Sequence, residues 1–177
     1  MRSIEIRPVV EEDLEPLAAL AREIWTDHYV PIIGQAQVDY MLERFQSVPA
    51  MRAQLAEGYE YFVVRDGERM IGYMAVRPEP QERRLFISKF YLHKSRRGSG
   101  TGRLCMEFLE RLARQRSLER LWLTVNKENP SIRVYERLGF RIAADIVTDI
   151  GNGFVMDDYR MEKSLLSNPE ASAVSAS

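Results

Sequence analysis

The run RRGSGTGR, from Arg96 to Arg103, sets three glycines between two basic ends. Gly98, Gly100 and Gly102 would weaken a strand or a helix interior. The apolar run LFISKFYL precedes them and LCMEFLERLAR follows. A strand that turns through glycines into a helix N-terminus makes an anion site. Successive backbone N–H groups point into one concavity, and the helix dipole adds partial positive charge. A Cβ there would hold phosphate oxygens away. Arg96, Arg97 and Arg103 add charge at the rim. Two common nucleotide loops fit poorly. A P-loop needs G-x-x-x-x-G-K followed by Ser or Thr, and no such pair is present. A dinucleotide loop needs G-x-G-x-x-G, whereas these glycines run G-x-G-x-G. No acidic residue ends the next strand convincingly for a ribose.

The hydrophobic period gives the elements that must carry this loop. SIEIRPV alternates Ile4 and Ile6 with polar neighbours and predicts a first strand. EEDLEPLAALAREIW carries Leu14, Leu17, Ala18, Ala21 and Trp25 at helical spacing. TDHYVPIIGQ breaks that helix at a Pro and a Gly, so His28 and Tyr29 fall in a loop. AQVDYMLERFQS repeats the helical pattern, and a helical turn covers AMRAQLAEG. YEYFVVRDGERMIGYMAVRP reads as strand, Asp66-Gly67 turn, strand. RLFISKFYLH is the next strand. From about Gly102 to Gln115 a helix puts Leu104, Cys105, Phe108, Leu109 and Leu112 on one face. LERLWLTV is a buried strand. Pro130 opens the helix SIRVYERL, which Gly139 closes. FRIAADIVTDI and FVMDDYRMEK make a final pair of strands joined through GNG. This order implies one mixed α/β domain over residues 1–165, with helices on both faces of the sheet. The small, polar segment 166–177 reads as a disordered tail.

Composition narrows the function. The 177 residues carry 25 Lys and Arg against 26 Asp and Glu, for a net charge of -1. That argues against a nucleic-acid role driven by bulk charge. A single cysteine, Cys105, permits no intramolecular disulfide. The start MRSIEIRPVV lacks the apolar core of a signal peptide, and no run is long enough to span a membrane. The expectation is a cytoplasmic protein with neither membrane nor nucleic acid as partner.

The spacing Arg97-x-x-Gly100-x-Gly102 resembles the R/Q-x-x-G-x-G/A loop of the GNAT superfamily of N-acetyltransferases. FYLHKSRRG is similar to that family's strand-to-loop junction. ENPSIRVYERLGF resembles its N-x-x-A-x-x-x-Y-x-x-x-G-F signature through Asn129, Tyr135, Gly139 and Phe140. It departs at Ile132, where the family often has Ala. The resemblance covers residues 4–163. It implies a mixed, mostly antiparallel sheet of six to seven strands, splayed between the fourth and fifth. It also implies acetyl-CoA as co-substrate and no metal. The pyrophosphate would lie on backbone N–H groups of Arg97, Gly98, Ser99, Gly100, Thr101, Gly102 and Arg103. The pantetheine arm would run beside Phe90, Tyr91 and Leu92. Asn129 would bind it from the other side, and Ser131 would reach the CoA phosphates.

The chemistry so implied is acyl transfer from sulfur to nitrogen. Tyr135 resembles the family's tyrosine acid. A phenol of ordinary pKa, near 10, is protonated at neutral pH and can donate to the leaving thiolate. A backbone N–H near Leu92 would serve the oxyanion. No general base is evident, since RLFISKFYLH has no acid after Glu82. Ser88 is a candidate to hold a water, and His93 reads as a surface residue. His28 and Tyr29 would wall the acceptor site, as candidates for acceptor contact or proton removal. EIWTDHYVPIIG, QVDYMLERFQS and VTDIGNGFVMDDYRMEK look like the branch containing bacterial PaiA-type polyamine acetyltransferases. That implies the primary amine of a small molecule such as spermidine as acceptor. A second, protonated amine needs a carboxylate partner. Asp145, Asp149, Asp157 and Asp158 are concentrated on the last two strands, with Asp157 set against the acceptor. Acetylation of proteins or peptides is the alternative, as is a non-catalytic acyl-CoA-binding regulatory module. Sheet edges in the superfamily often pair between chains, which leaves a homodimer open.

Overall fold

The computed structural model describes residues 3–166. The tail expected over 166–177 therefore lies outside the described residues from position 167 on. Strand β1 (Ile4–Pro8) is followed by three helices, α1 (Leu14–Ile33), α2 (Gln35–Phe45) and α3 (Val48–Ala56). Then come β2 (Glu60–Asp66), β3 (Arg69–Glu79) and β4 (Arg84–Leu92). Helix α4 (Thr101–Gln115), β5 (Arg120–Asn126) and α5 (Ser131–Arg137) follow, and β6 (Arg141–Gly151) and β7 (Phe154–Ser164) close the chain. The seven strands form one sheet in the order β1-β2-β3-β4-β5-β7-β6. All pairings are antiparallel except β4 with β5. This is the mixed, mostly antiparallel α/β sheet that the sequence implied.

Alternation along the strands loads both faces with apolar side chains. Phe62, Val64, Met74, Leu85 and Ile87 turn to one face, where Cys105, Met106, Leu109 and Ala113 of α4 cover them. Tyr61, Val63, Tyr73 and Ala75 turn to the other, against Leu14, Leu17, Ala21 and Ile24 of α1 and Met51 of α3. A third cluster joins Trp25 of α1 and Val38, Met41 and Leu42 of α2 to Ile150 of β6.

Two expectations are corrected. Helix α1 does not stop before His28: it continues through Pro31 to Ile33 and ends at Gly34, whose φ is +86°. Pro31 removes one backbone donor, but it sits in the last turn, so a single hydrogen bond is lost. Packing of Trp25, Tyr29, Val30 and Ile33 into the α2 cluster outweighs that loss. Leu104 does not share the buried face of α4, being 48% exposed.

The parallel pairing of β4 with β5 is short. It covers only Arg84–Phe86 against Arg120–Trp122. Beyond it β4 runs on to Leu92 and β5 to Asn126 without pairing, which opens a wedge in the sheet. On the β3 side, Ala75 pairs with Lys89 and Val76 with Ile87, so Ser88 is an extra residue in β4. Such a bulge bends its strand and increases local twist. It lies just past the last β4–β5 pair, where the two strands part.

Candidate active site

The wedge opens into a cleft of about 430 Å³. Its walls are the end of β4, the second half of α1, the loop into α4, and α5. His28, Tyr29, Phe90, Tyr91, Leu92, Arg97, Gly98, Gly100, Gly102, Arg103, Asn129, Ser131 and Tyr135 all line it. Thus nearly all the residues singled out in the sequence converge on one site, although they come from four separate stretches of chain.

The glycine loop is built to hold its backbone open. Gly98 and Gly100 have φ of +75° and +84°, which side-chain-bearing residues rarely adopt. A Cβ added at either would meet nothing within 4 Å. The space in front of the loop is therefore free for an oxyanion. Gly100 caps α4, so the unpaired N–H groups of the first helical turn face that space. Ser99 and Thr101 do not line the cleft. The Ser99 hydroxyl donates to the Arg96 carbonyl at 2.6 Å and meets the buried Thr101 hydroxyl at 2.9 Å. Both side chains are used to hold the turn. Arg96 pairs with the buried carboxylate of Asp66, which ties the loop to the β2–β3 hairpin. His93, expected at the surface, is 7% exposed. Its ring lies 2.8 Å from Glu23 and 2.7 Å from Ser95, fixing the strand-to-loop junction to α1.

Asn129 is the node between α1 and α5. It is 5% exposed. Its Oδ1 accepts the Ser131 N–H at 2.9 Å and lies 3.0 Å from His28 Nε2. Its Nδ2 donates to the Tyr29 hydroxyl at 3.3 Å. A backbone N–H can only donate, so the atom it meets is the amide oxygen. His28 then carries its proton on Nε2 and leaves the Nδ1 lone pair bare. Burial pulls the His28 pKa below its ordinary value, despite the Asn129 hydrogen bond, and nearby Arg97 adds to the effect. Burial pushes the Tyr29 hydroxyl up to about 12.

Tyr135 stands on α5 one helical turn past Ser131. Its ring meets Phe90 at 6.2 Å and Phe140 at 5.8 Å, both edge-on. Burial, with Tyr29 nearby, raises its pKa. The phenol is a full proton donor at neutral pH. Sequence reasoning missed Ile24, Val134, Arg137 and Leu138 as cleft residues, while Arg96, read as rim charge, does line it. Val134 and Leu138 follow Ser131 at the spacing of one helix face and were within reach of the period argument. Ile24 sits one turn before His28 and follows once α1 is continued.

The acids of the last two strands divide. Neither Asp157 nor Asp158 lines the cleft itself. Asp157 is exposed and bridges to Lys127 at 2.9 Å. Asp145 also approaches Lys127, at 3.9 Å. Asp149 accepts the Gly151 N–H at 2.8 Å and shapes the β6–β7 turn. Asp158 alone is buried, at 4% exposure. Burial, reinforced by Asp157 and opposed by Lys127, raises its carboxyl to about 6.

A sheet parted between β4 and β5, with a glycine loop at the end of one strand, frames an open cleft with room for an extended ligand. The sequence profile of the acetyltransferase (GNAT) family matches residues 17–140, well over half of the chain. The chain belongs to that family, and it is an N-acetyltransferase with acetyl-CoA as donor. No curated protein sequence matches it. Among solved structures it is similar to the PaiA N-acetyltransferase of Thermoplasma acidophilum in complex with coenzyme A. That likeness has 22% identity and a TM-score of 0.77, over 92% of this chain and 99% of that one. A spermidine N-acetyltransferase SpeG chimera from Vibrio cholerae gives 20% identity and 0.66, over 92% and 95%. A ribosomal-protein alanine N-acetyltransferase from Escherichia coli gives 18% and 0.66, over 95% and 97%. At these identities the likeness is one of fold.

Proposed function

We propose that the protein acetylates a primary amine of a small molecule, with a polyamine such as spermidine as the leading class of acceptor. The observation that carries this reading is the cleft itself. A glycine loop with open space before it and a protonated phenol share one wedge. In this reading the N–H groups from Arg97 to Arg103 hold the pyrophosphate of acetyl-CoA. The pantetheine amides extend the sheet along Phe90, Tyr91 and Leu92, in the gap β5 leaves unpaired. Arg97, Arg103 and Arg137 carry positive charge to the cleft wall, where an anionic donor benefits from it. The neutral amine attacks the thioester carbon, and Tyr135 donates its proton to the departing thiolate.

Support for a polycationic acceptor comes from two solved structures of the same fold. The PaiA enzyme and the spermidine N-acetyltransferase SpeG chimera share the fold. The deciding experiment is one thiol-release assay with acetyl-CoA. It compares spermidine, free amino acids and peptides as acceptors. Turnover with spermidine well above the other amines is the expected result. Preference for peptides would move the assignment to protein acetylation. Tight CoA binding with a silent panel would point to a regulatory module.

A further inference from the structure

We propose that Asp158 is the general base that the sequence of β4 lacks: it takes up the acceptor ammonium and removes its proton. The proposal rests on the acetyltransferase reading above and assigns a residue to its unassigned step. In the β5–β7 register Asp158 stands opposite Asn126, while Val125 stands opposite Tyr159 and Leu123 opposite Met161. Leu123, Val125 and Met161 fill the α4 core. Asp158 and Asn126 therefore point to the other face, toward α1. Met156, two residues earlier on the same face of β7, packs against the cluster of Trp25, Val38, Met41, Leu42 and Ile150, as do Tyr29 and Tyr91.

Trp25, Tyr29 and Tyr91 form one aromatic group on that side of the sheet, and the Tyr29 hydroxyl is near enough to Asp158 to feel its charge. Trp25 and Tyr29 lie 4.3 Å apart and Trp25 and Tyr91 5.5 Å apart, centroid to centroid. Aromatic faces beside a carboxylate favour an alkylammonium ion. The charged and titratable groups near Asp158 are Tyr29 from α1, Arg160 two residues on along the same face of β7, Lys127 beyond β5, and its neighbour Asp157 on the opposite face. Lys127 is held by Asp157 and Asp145, so its charge is largely spent. Among the described residues no hydrogen bond reaches the Asp158 carboxylate, although its oxygens are not fully enclosed. A buried carboxylate without a partner is costly for folding alone. A bound ammonium would supply the missing partner. Tyr29, whose hydroxyl feels the Asp158 charge, also lines the cleft.

The step balances. The ammonium gives one proton to Asp158 and becomes a free amine. The amine nitrogen bonds to the thioester carbon and the carbon–sulfur bond breaks. The thiolate takes the Tyr135 proton, and the phenolate recovers one from the amide nitrogen. Asp158 releases its proton to solvent, the one net proton of the reaction.

The test measures kcat/KM for the best acceptor of the panel against pH, for wild type, Asp158→Asn and Asp158→Glu. For wild type, log kcat/KM should change slope near the Asp158 pKa of about 6. Asp158→Asn should lose roughly 10²–10⁴-fold and lack that break, with acetyl-CoA affinity unchanged by calorimetry. Asp158→Glu should keep the break and part of the rate. A wild-type-like profile in Asp158→Asn would overturn the assignment while leaving the acetyltransferase reading intact. A wild type silent on every amine would overturn both. If Asp158→Asn does not fold, a wild-type profile without the break, or an Asp158→Glu profile without it, overturns the assignment.

Discussion

His28 Nε2 lies 3.0 Å from Oδ1 of Asn129, a residue 101 positions further along the chain. Through this contact and the Tyr29 hydroxyl, one buried amide ties the end of α1 to the start of α5. The two walls of the cleft are thereby held in register before any donor arrives. The tautomer follows from the Ser131 N–H, which fixes the amide oxygen and so puts the imidazole proton on Nε2.

Burial of His28 at this junction makes stability sensitive to mild acid. The folded chain holds His28 below the ordinary value of 6.5, chiefly by burial. As pH falls below about 6.5, the unfolded chain takes a proton before the folded one, so stability falls. It levels off once the folded ring is also protonated. Urea midpoints between about pH 7 and about pH 5 should fall for wild type and fall less for His28→Gln. Equal slopes in the two proteins would mean that other groups carry the effect.

Gly100→Glu should abolish tight acetyl-CoA binding without unfolding the chain. The substitution puts bulk and negative charge where the open space lies, and it strains a backbone whose φ is +84°. The strain is on the order of 1–2 kcal/mol, which a domain of this size tolerates. Isothermal titration with CoA reads the result. Normal affinity would mean that the pyrophosphate lies elsewhere.

Tyr135→Phe should keep acetyl-CoA affinity and lose roughly 10²–10⁴-fold in turnover, the usual scale for a positioned acid. The ring contacts with Phe90 and Phe140 need no hydroxyl, so the thermal midpoint should barely move. Thiol release at saturating acetyl-CoA separates the outcomes. Unchanged turnover would assign the proton of the thiolate to water.

The sequence carried those parts of the site that depend on local chemistry. Gly98, Gly100, Asn129 and Tyr135 sit in short motifs whose spacing is tied to one turn or one helix. The splay followed from the resemblance, and its physical marks, the bulge at Ser88 and the three-residue β4–β5 pairing, have no local signal. The path of α1 past Pro31 was hidden because tertiary packing, not propensity, decides it. The choice between Asp157 and Asp158 was hidden for another reason. Adjacent strand residues face opposite ways, and the β6–β7 register shifts twice. Only the pairing shows which of the two is buried.

Gly72 is a position whose role is purely steric. A Cβ there would lie 2.5 Å from Leu92 Cδ2 and 2.6 Å from the Tyr91 carbonyl. Gly72 pairs with Leu92 across β3 and β4, so it lets the cleft-lining end of β4 approach closely. Gly72→Ala should cost about 1–3 kcal/mol, as overpacking does. The thermal midpoint should drop by roughly 2–4 °C for each kcal/mol. Acetyl-CoA affinity should drop with it, because Tyr91 and Leu92 must shift. A melt unchanged from wild type would show that β4 relaxes freely at this point.

Lys89 gives the last prediction. It is 4% exposed and donates to the Phe45 carbonyl at the end of α2, to Gln54 and to the Tyr61 hydroxyl. Burial pulls its pKa from 10.5 down to about 7. Between those values the unfolded chain binds one proton more than the folded chain. Stability from this group therefore rises with pH from about 7 toward 10.5. The buried hydroxyls of Tyr29, Tyr61, Tyr73, Tyr91 and Tyr135 and the buried Cys105 thiol are shifted upward and act the other way once the unfolded chain starts to lose those protons. The measurement therefore stops at about pH 8.5, where the thiol range begins and below the ordinary tyrosine range. Urea midpoints should climb between about pH 7.5 and about pH 8.5 for wild type, and Lys89→Met should flatten the climb. A slope that survives the substitution would mean that the α2 carbonyl and its neighbours hold Lys89 charged in the folded chain.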